Sequence, residues 1–183
     1  FDYHLLDCDA GLVQTDALTV DLPATLQLLA SFFPFKTSLI QQLVTQLIDW
    51  DCCAVIADIA PLGIKAARAA GLPSVLIENF TWDWIYKSYV RYYPEITEHA
   101  DYLASIFCTP DLHLQCQPVC RPTSSAVPTA PVSRRYSETS ETIRDQLRLQ
   151  SGRKLVLISM GGTPHELPCL EELGRCWGDI DFL

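Results

Sequence analysis

The stretch from Cys53 to Asn79 constrains the fold more than any other part of the chain. Cys53-Ala54-Val55-Ile56-Ala57-Asp58 is a short continuous apolar run closing on a carboxylate, the pattern of a buried parallel strand. Pro61 suits the first turn of a helix, where its missing N–H would have no partner anyway. The alanine-rich run Leu62 to Ala70 continues that helix until Gly71 takes the C′ position. Pro73 then leads into a second apolar run, Ser74-Val75-Leu76-Ile77-Glu78-Asn79. Strand, helix and strand in this order form a crossover, which is right-handed in about 98% of cases. The expected fold class is α/β, built on a Rossmann-like parallel sheet with helices on both faces.

The flanking sequence extends this reading. Residues 1 to 20 read as a loop with one short extended piece. Asp21 can cap a helix whose early turn tolerates Pro23, with Leu22, Leu26, Leu29 and Ala30 at three- and four-residue spacing. Pro34 interrupts it, and Leu39, Leu43, Leu47 and Trp50 mark a second amphipathic stretch. Further on, Trp82, Tyr86 and Tyr89 share one helical face, and a helix is expected over Glu95 to Leu103. Ser105-Ile106-Phe107-Cys108 reads as a short strand stopped by Pro110. Pro118, Pro122, Pro128 and Pro131 mark an extended linker. Beyond it, Ser137 to Leu149 reads as a polar helix and Lys154 to Met160 as a buried strand ending in Gly161-Gly162-Thr163. His165 to Trp177 reads as a helix leading to the strand-like end Ile180-Asp181-Phe182-Leu183. The expected division is a partial Rossmann-like domain (1–117), a linker (118–136) and the truncated start of a second Rossmann-like domain (137–183).

Charge narrows the partners. Thirteen Lys+Arg against 22 Asp+Glu leave the 183 residues at a formal −9, without the clustered basic side chains that nucleic acid or an anionic membrane requires. No run approaches the roughly 18 apolar residues of a membrane span, so no integral membrane segment is expected. The chain opens on Phe1 with no basic n-region or cleavage site, which reads as an internal piece of a longer, cytoplasmic protein. Its eight cysteines then read as reduced thiols rather than a disulfide framework.

In an open parallel sheet, ligands bind outside the carboxyl ends of the strands, and that rule selects the candidate residues. Asp58 ends the first strand; it either caps the helix from Pro61 or orients a catalytic base, and the capping role ranks first. Gly161-Gly162-Thr163 lies between a strand and a helix, where backbone can approach a phosphate closely; a plain tight turn is the alternative. Neither GxGxxG nor a Walker A ending is present, so no nucleotide cofactor is called for. The segment Asn79-Phe80-Thr81-Trp82-Asp83-Trp84-Ile85-Tyr86 suits a carbohydrate, because aromatic faces stack on sugars while Asn, Thr and Asp serve hydroxyls. It suits a core equally, and packing ranks first for the aromatics, with Asn79, Thr81 and Asp83 expected to be exposed. His113, Cys116 and Cys120 approach a ligand cluster but lack the further ligands of a tetrahedral zinc site, so no metal is assigned.

The runs Val55 to Asp58, Gly71-Leu72-Pro73 and Asn79 to Tyr86, with Asp9-Ala10-Gly11-Leu12-Val13-Gln14 and Ile158-Ser159-Met160-Gly161-Gly162, resemble bacterial GT-B-type glycosyltransferase-like proteins. They are also similar to the glycosyltransferase-like N-terminal region of plant L-arabinokinase. The resemblance spans nearly the whole chain, and Asn79 to Tyr86 is its most specific part. It implies two Rossmann-like domains facing across a cleft, with a small-molecule or glycan acceptor on the N-terminal side and a nucleotide-sugar donor on the C-terminal side. Asn79, Thr81, Trp82 and Asp83 would then serve the acceptor. Gly161, Gly162 and Thr163 would face the donor diphosphate, and Asp58 would be the catalytic carboxylate that orients a histidine base. The implied activity is glycosyl transfer; the alternative is a non-catalytic sugar or nucleotide-sugar sensing domain attached to a sugar kinase. Gly162→Val in the full-length protein is expected to weaken donor binding by crowding the backbone approach while leaving the fold mostly intact. Titration calorimetry with the nucleotide-sugar checks this, and an unchanged affinity would remove the phosphate role.

Overall fold

The computed structural model describes residues 2–135, 137–149, 152–159 and 169–183. They fall into two compact units, one of Phe1–Val13 with Asp21–Val132 and one of Gln14–Val20 with Ser133–Leu183. Among the described residues no helix is long and apolar enough to cross a membrane.

The second unit contains the antiparallel pair β1 (Gln14–Asp16) and β2 (Thr19–Val20). The first unit opens with α1 (Leu22–Phe32), and Asp21 caps it as expected, accepting from the Ala24 N–H at 2.9 Å. Phe33 takes an extended conformation ahead of Pro34, as a residue preceding proline prefers. The helix α2 (Thr37–Asp49) then presents Leu39 and Leu43 to the core. The expected crossover is present. β3 (Val55–Asp58) pairs in parallel with β4 (Ser74–Glu78), and α3 (Pro61–Ala70) connects them. Pro61 opens α3 and Gly71, at φ 70°, closes it. Cys53, expected inside the first strand, precedes it and is exposed.

Two short elements follow, α4 (Trp82–Lys87) and the longer α5 (Ile96–Phe107). The expected strand at Ser105 to Cys108 is a correction: Ile106 and Phe107 form the last turn of α5. Ile96, Ala100, Leu103 and Phe107 are all buried, at helical spacings of four, three and four, so the apolar pair prolongs the helix stripe. A run of two apolar residues cannot by itself distinguish strand from helix. The strand lies further on, as β5 (Leu112–Cys116), parallel to β4. The proline-marked stretch expected as linker is also more than a linker, because β6 (Val127–Thr129) adds a fourth parallel strand beside β5. Pro128 fits there because an edge strand leaves one side of its backbone without ladder bonds.

The sheet order β3-β4-β5-β6 repeats the chain order. Right-handed crossovers that keep advancing in one direction carry their helices over the same face, and α3 packs on α5, α5 on α1 and α4, and α2 on α3. The expectation of helices on both faces is therefore corrected among the described residues. Ala57 and Leu76, 3% and 0% exposed, lie under this helical layer, whereas Ile56, on the other face, is 69% exposed. Gly63 of α3 lies against Val55 and Ala57, which lets helix and strand approach closely.

In the second unit, α6 (Ser140–Gln146) starts at a Thr139 cap, and β7 (Lys154–Val156) pairs in parallel with β8 (Ile180–Phe182) after α7 (Leu170–Cys176). Arg153 ties the pair together, donating to Asp181 Oδ1 at 2.8 Å and to the Gly178 and Ile180 carbonyls.

The two faces of the sheet make opposite demands. Leu76→Ala should cost about 2–5 kcal/mol through lost burial and the cavity left behind, while Ile56→Ala should stay within about 0.5 kcal/mol. Urea denaturation of each variant checks the contrast.

Candidate functional site

Three elements of the first unit converge beside the carboxyl end of β4. A cavity of about 530 Å³ is lined by Glu78 of β4, Thr81, Asp83 and Lys87 around α4, His113 and Gln115 of β5, and Arg121 and Thr123 from the connection that follows. Phe80 and Phe107 add aromatic surface to its wall.

The floor is a buried polar network. Glu78 and Gln115 are register partners on adjacent parallel strands, so their side chains share the helix-facing side of the sheet. Glu78, 4% exposed, accepts from His113 Nε2 at 2.7 Å and from Gln115 Nε2 at 2.6 Å. A carboxylate has no proton to give, so the imidazole donates through Nε2. Gln115 also holds the next loop in place. Its Nε2 donates to the Arg121 carbonyl at 3.0 Å, and its Oε1 accepts from the Thr123 N–H at 2.9 Å. One amide therefore fixes both the floor and the segment that carries Arg121.

The rim is built around Asp83. Its side chain is 1% exposed, with Arg121 Nη2 at 3.2 Å and Lys87 Nζ at 3.8 Å from the same oxygen, Oδ2. Oδ1 is buried without a hydrogen-bond partner among the described residues. Thr81 and Asp83, expected to be exposed, are 6% and 1% exposed. That is a correction with a physical reason: a charge in the first turn of α4 can be buried only because two cations reach it.

The other candidates lie elsewhere. Trp82 packs against the N-terminal stretch, with Nε1 donating to Asp9 Oδ2 at 2.8 Å and its ring stacked on Tyr86 at 5.7 Å. Tyr86 is fully buried and its hydroxyl donates to the Ala10 carbonyl. Burial, then the charge of Asp9, pushes its phenol far above the ordinary range. Trp82 and Tyr86 thus pack, the role ranked first above. Asp58 and Asn79 line a second cavity of about 340 Å³ at the strand ends, together with Ile77, Glu78, Cys116 and Gln117. No histidine is among the residues lining it. Gly161, Gly162 and Thr163 lie outside the described residues. Among the described residues no group of three metal-ligating side chains gathers, and His113 is engaged by Glu78 instead.

Sequence reasoning did not pick out Glu78, Gln115 or Arg121, and it weighed His113 only as a metal ligand. For three of them a signal exists. Leu112-His113-Leu114-Gln115-Cys116 alternates apolar and polar, and a strand with polar residues on one face needs a polar partner on the neighbouring strand. Glu78, at the end of an otherwise apolar strand, is that partner. Nothing in the local sequence marks Arg121.

No known family's sequence profile matches the chain, and no solved structure matches it. Among curated proteins the chain is similar to L-arabinokinase of Arabidopsis thaliana, 29% identical over 175 residues, covering 87% of this chain and 16% of that protein. The chain thus spans about one sixth of the length of the curated relative it matches.

At the far end of the cavity, the Ser74 N–H and hydroxyl both donate to Asp111 Oδ2, at 2.8 and 3.0 Å, and hold its carboxyl below its ordinary pKa of 3.8. A depressed carboxylate stabilises the fold above that ordinary value, and the contribution is lost as pH falls through the lower folded-state value. Asp111→Asn should therefore be less stable than wild type near neutral pH, with the gap closing as pH drops below 3.8. Urea midpoints measured across that range check the sign.

Proposed function

We propose that this chain is a glycosyltransferase-like module that binds a sugar in the cavity formed by Glu78, Thr81, Asp83, His113, Gln115 and Arg121. The observation that carries the reading is the pair of buried carboxylates, Glu78 and Asp83, opening onto one cavity beside Phe80 and Phe107. Carboxylates accept hydrogen bonds from hydroxyls, the arginine and glutamine side chains donate to sugar oxygens, and aromatic surface covers the apolar face of a pyranose or furanose. Asp83 Oδ1, without a hydrogen-bond partner among the described residues, is an acceptor that a ligand hydroxyl would satisfy. The similarity to a sugar kinase supports a sugar as the ligand class.

Under this proposal the cavity takes the acceptor. In the neutral imidazole, donation from Nε2 to Glu78 leaves Nδ1 with the lone pair. Nδ1 would take the proton of an acceptor hydroxyl while that oxygen bonds to the anomeric carbon of a nucleotide-sugar. The anomeric carbon–oxygen bond to the diphosphate breaks, and the nucleoside diphosphate leaves with the electron pair. Gly161, Gly162 and Thr163 would hold the donor diphosphate through backbone N–H groups. Asp58 and Asn79 would face the reacting groups from the second cavity. The division into an acceptor-side region (1–117), a connecting stretch (118–136) and a donor-side start (137–183), with a cytoplasmic location, belongs to the same proposal.

A second reading is favoured by one specific observation, the match to part of L-arabinokinase: the module senses a sugar or nucleotide-sugar on behalf of an attached sugar kinase. His113→Gln separates the two, because glutamine can still donate to Glu78 but cannot accept the proton. In the full-length protein, assayed with a panel of nucleotide-sugars, transfer should fall by about 10²- to 10⁴-fold while the melting temperature stays close to wild type. Absent transfer in the wild type, together with a sugar-dependent change in kinase turnover, would select the sensing role.

A further inference from the structure

We propose that the sugar taken by this cavity is uncharged, and that Asp83 is the residue that sets this preference. The inference rests on the sugar-binding reading above and adds the ligand's charge to it.

The titratable side chains lining the cavity are Glu78, Asp83, Lys87, Asp111, His113 and Arg121. With the imidazole neutral, as a proton acceptor must be, three carboxylates stand against two cations. The lining is negative by one charge, inside a chain that carries a formal −9. An anionic ligand is repelled at long range and finds no surplus cation on arrival.

Asp83 is what engages those cations. Arg121 Nη2 and Lys87 Nζ lie 3.2 and 3.8 Å from its Oδ2; the Asp83 side chain is 1% exposed, and those of Arg121 and Lys87 are 48% and 46% exposed. The other two carboxylates have different donors. Glu78 accepts from His113 and Gln115, and Asp111 accepts from Ser74 at the opposite end of β4.

Asp83 also decides which groups are welcome beside it. Its Oδ1 is buried without a hydrogen-bond partner among the described residues, and a carboxylate oxygen can only accept. A sugar hydroxyl brings the hydrogen that this atom lacks. A ligand carboxylate brings a further acceptor and a like charge, and such a juxtaposition is how a site rejects the wrong partner.

Pairs of ligands that differ in charge but little in shape test this. The full-length protein and its Asp83→Asn and Lys87→Gln variants are titrated calorimetrically with methyl hexopyranosides of the gluco, galacto and manno series and with the corresponding methyl uronides, at low and at high salt. The wild type should prefer the neutral member of a pair by roughly tenfold or more, and salt should narrow the gap. The two variants move the preference in opposite directions. Asp83→Asn frees both rim cations and should lower the preference roughly ten- to a hundredfold, whereas Lys87→Gln removes one half-exposed cation and should raise it about two- to fivefold. Circular dichroism melts report whether each variant folds, and Lys87→Gln with the salt series decides if Asp83→Asn does not. Equal affinity within each pair, a preference for the uronide, or a preference that neither salt nor the folded variants move overturns the role of charge and leaves the sugar site standing. No binding of any glycoside or uronide overturns both.

Discussion

Parallel pairing of β4 between β3 and β5 is the constraint on which the first unit depends. It buries Leu76 under the helices and sets Glu78 level with Gln115. Because the strands follow chain order, each crossover returns over the same face. The helices then cover one side of the sheet, and the loops leaving β4 and β5 emerge side by side at its carboxyl end. The cavity is a consequence of that arrangement, since the same loops and the start of α4 supply its rim.

A carboxylate inside such a layer is costly unless hydrogen bonds replace water. Glu78 meets that condition through His113 and Gln115, and Asp83 meets it on one oxygen through a hydrogen bond from Arg121, with Lys87 adding an ion pair. The two solutions differ in kind. The Glu78 network is closed, and it holds an imidazole in one tautomer and a loop in one path. Among the described residues Asp83 is left with one unpartnered oxygen beside two half-exposed cations, so it has capacity for a further polar group. Rigidity at the floor and open valence at the rim are what a preorganised binding site for a polar ligand requires.

The segment Asn79 to Tyr86 splits by chemistry. Its aromatic members Trp82 and Tyr86 anchor the N-terminal stretch through Asp9 and Ala10, while Thr81 and Asp83 line the cavity. One helical turn separates the two tasks, because residues one or two apart on a helix point to different sides. The likeness to part of L-arabinokinase embraces both the scaffold and the cavity.

Much of the scaffold was legible in the residues themselves. Val55 to Asp58, Pro61, Gly71 and Ser74 to Glu78 specify strand, helix and strand through apolar runs and backbone preferences that operate locally, as does the Asp21 cap. Ile106 and Phe107 were ambiguous because two apolar residues serve a helix end or a strand equally well, and only packing of α5 decides. Val127–Thr129 became a strand because β5 offered an edge, a fact no local pattern contains. The candidate site depended most on tertiary structure. Glu78 is separated from His113 and Arg121 by tens of residues, and their meeting follows from strand register and loop path. Side-chain identity determined what each group can donate or accept; the fold alone determined which of them share a cavity, because hydrogen bonds act over a few ångströms in space regardless of distance along the chain.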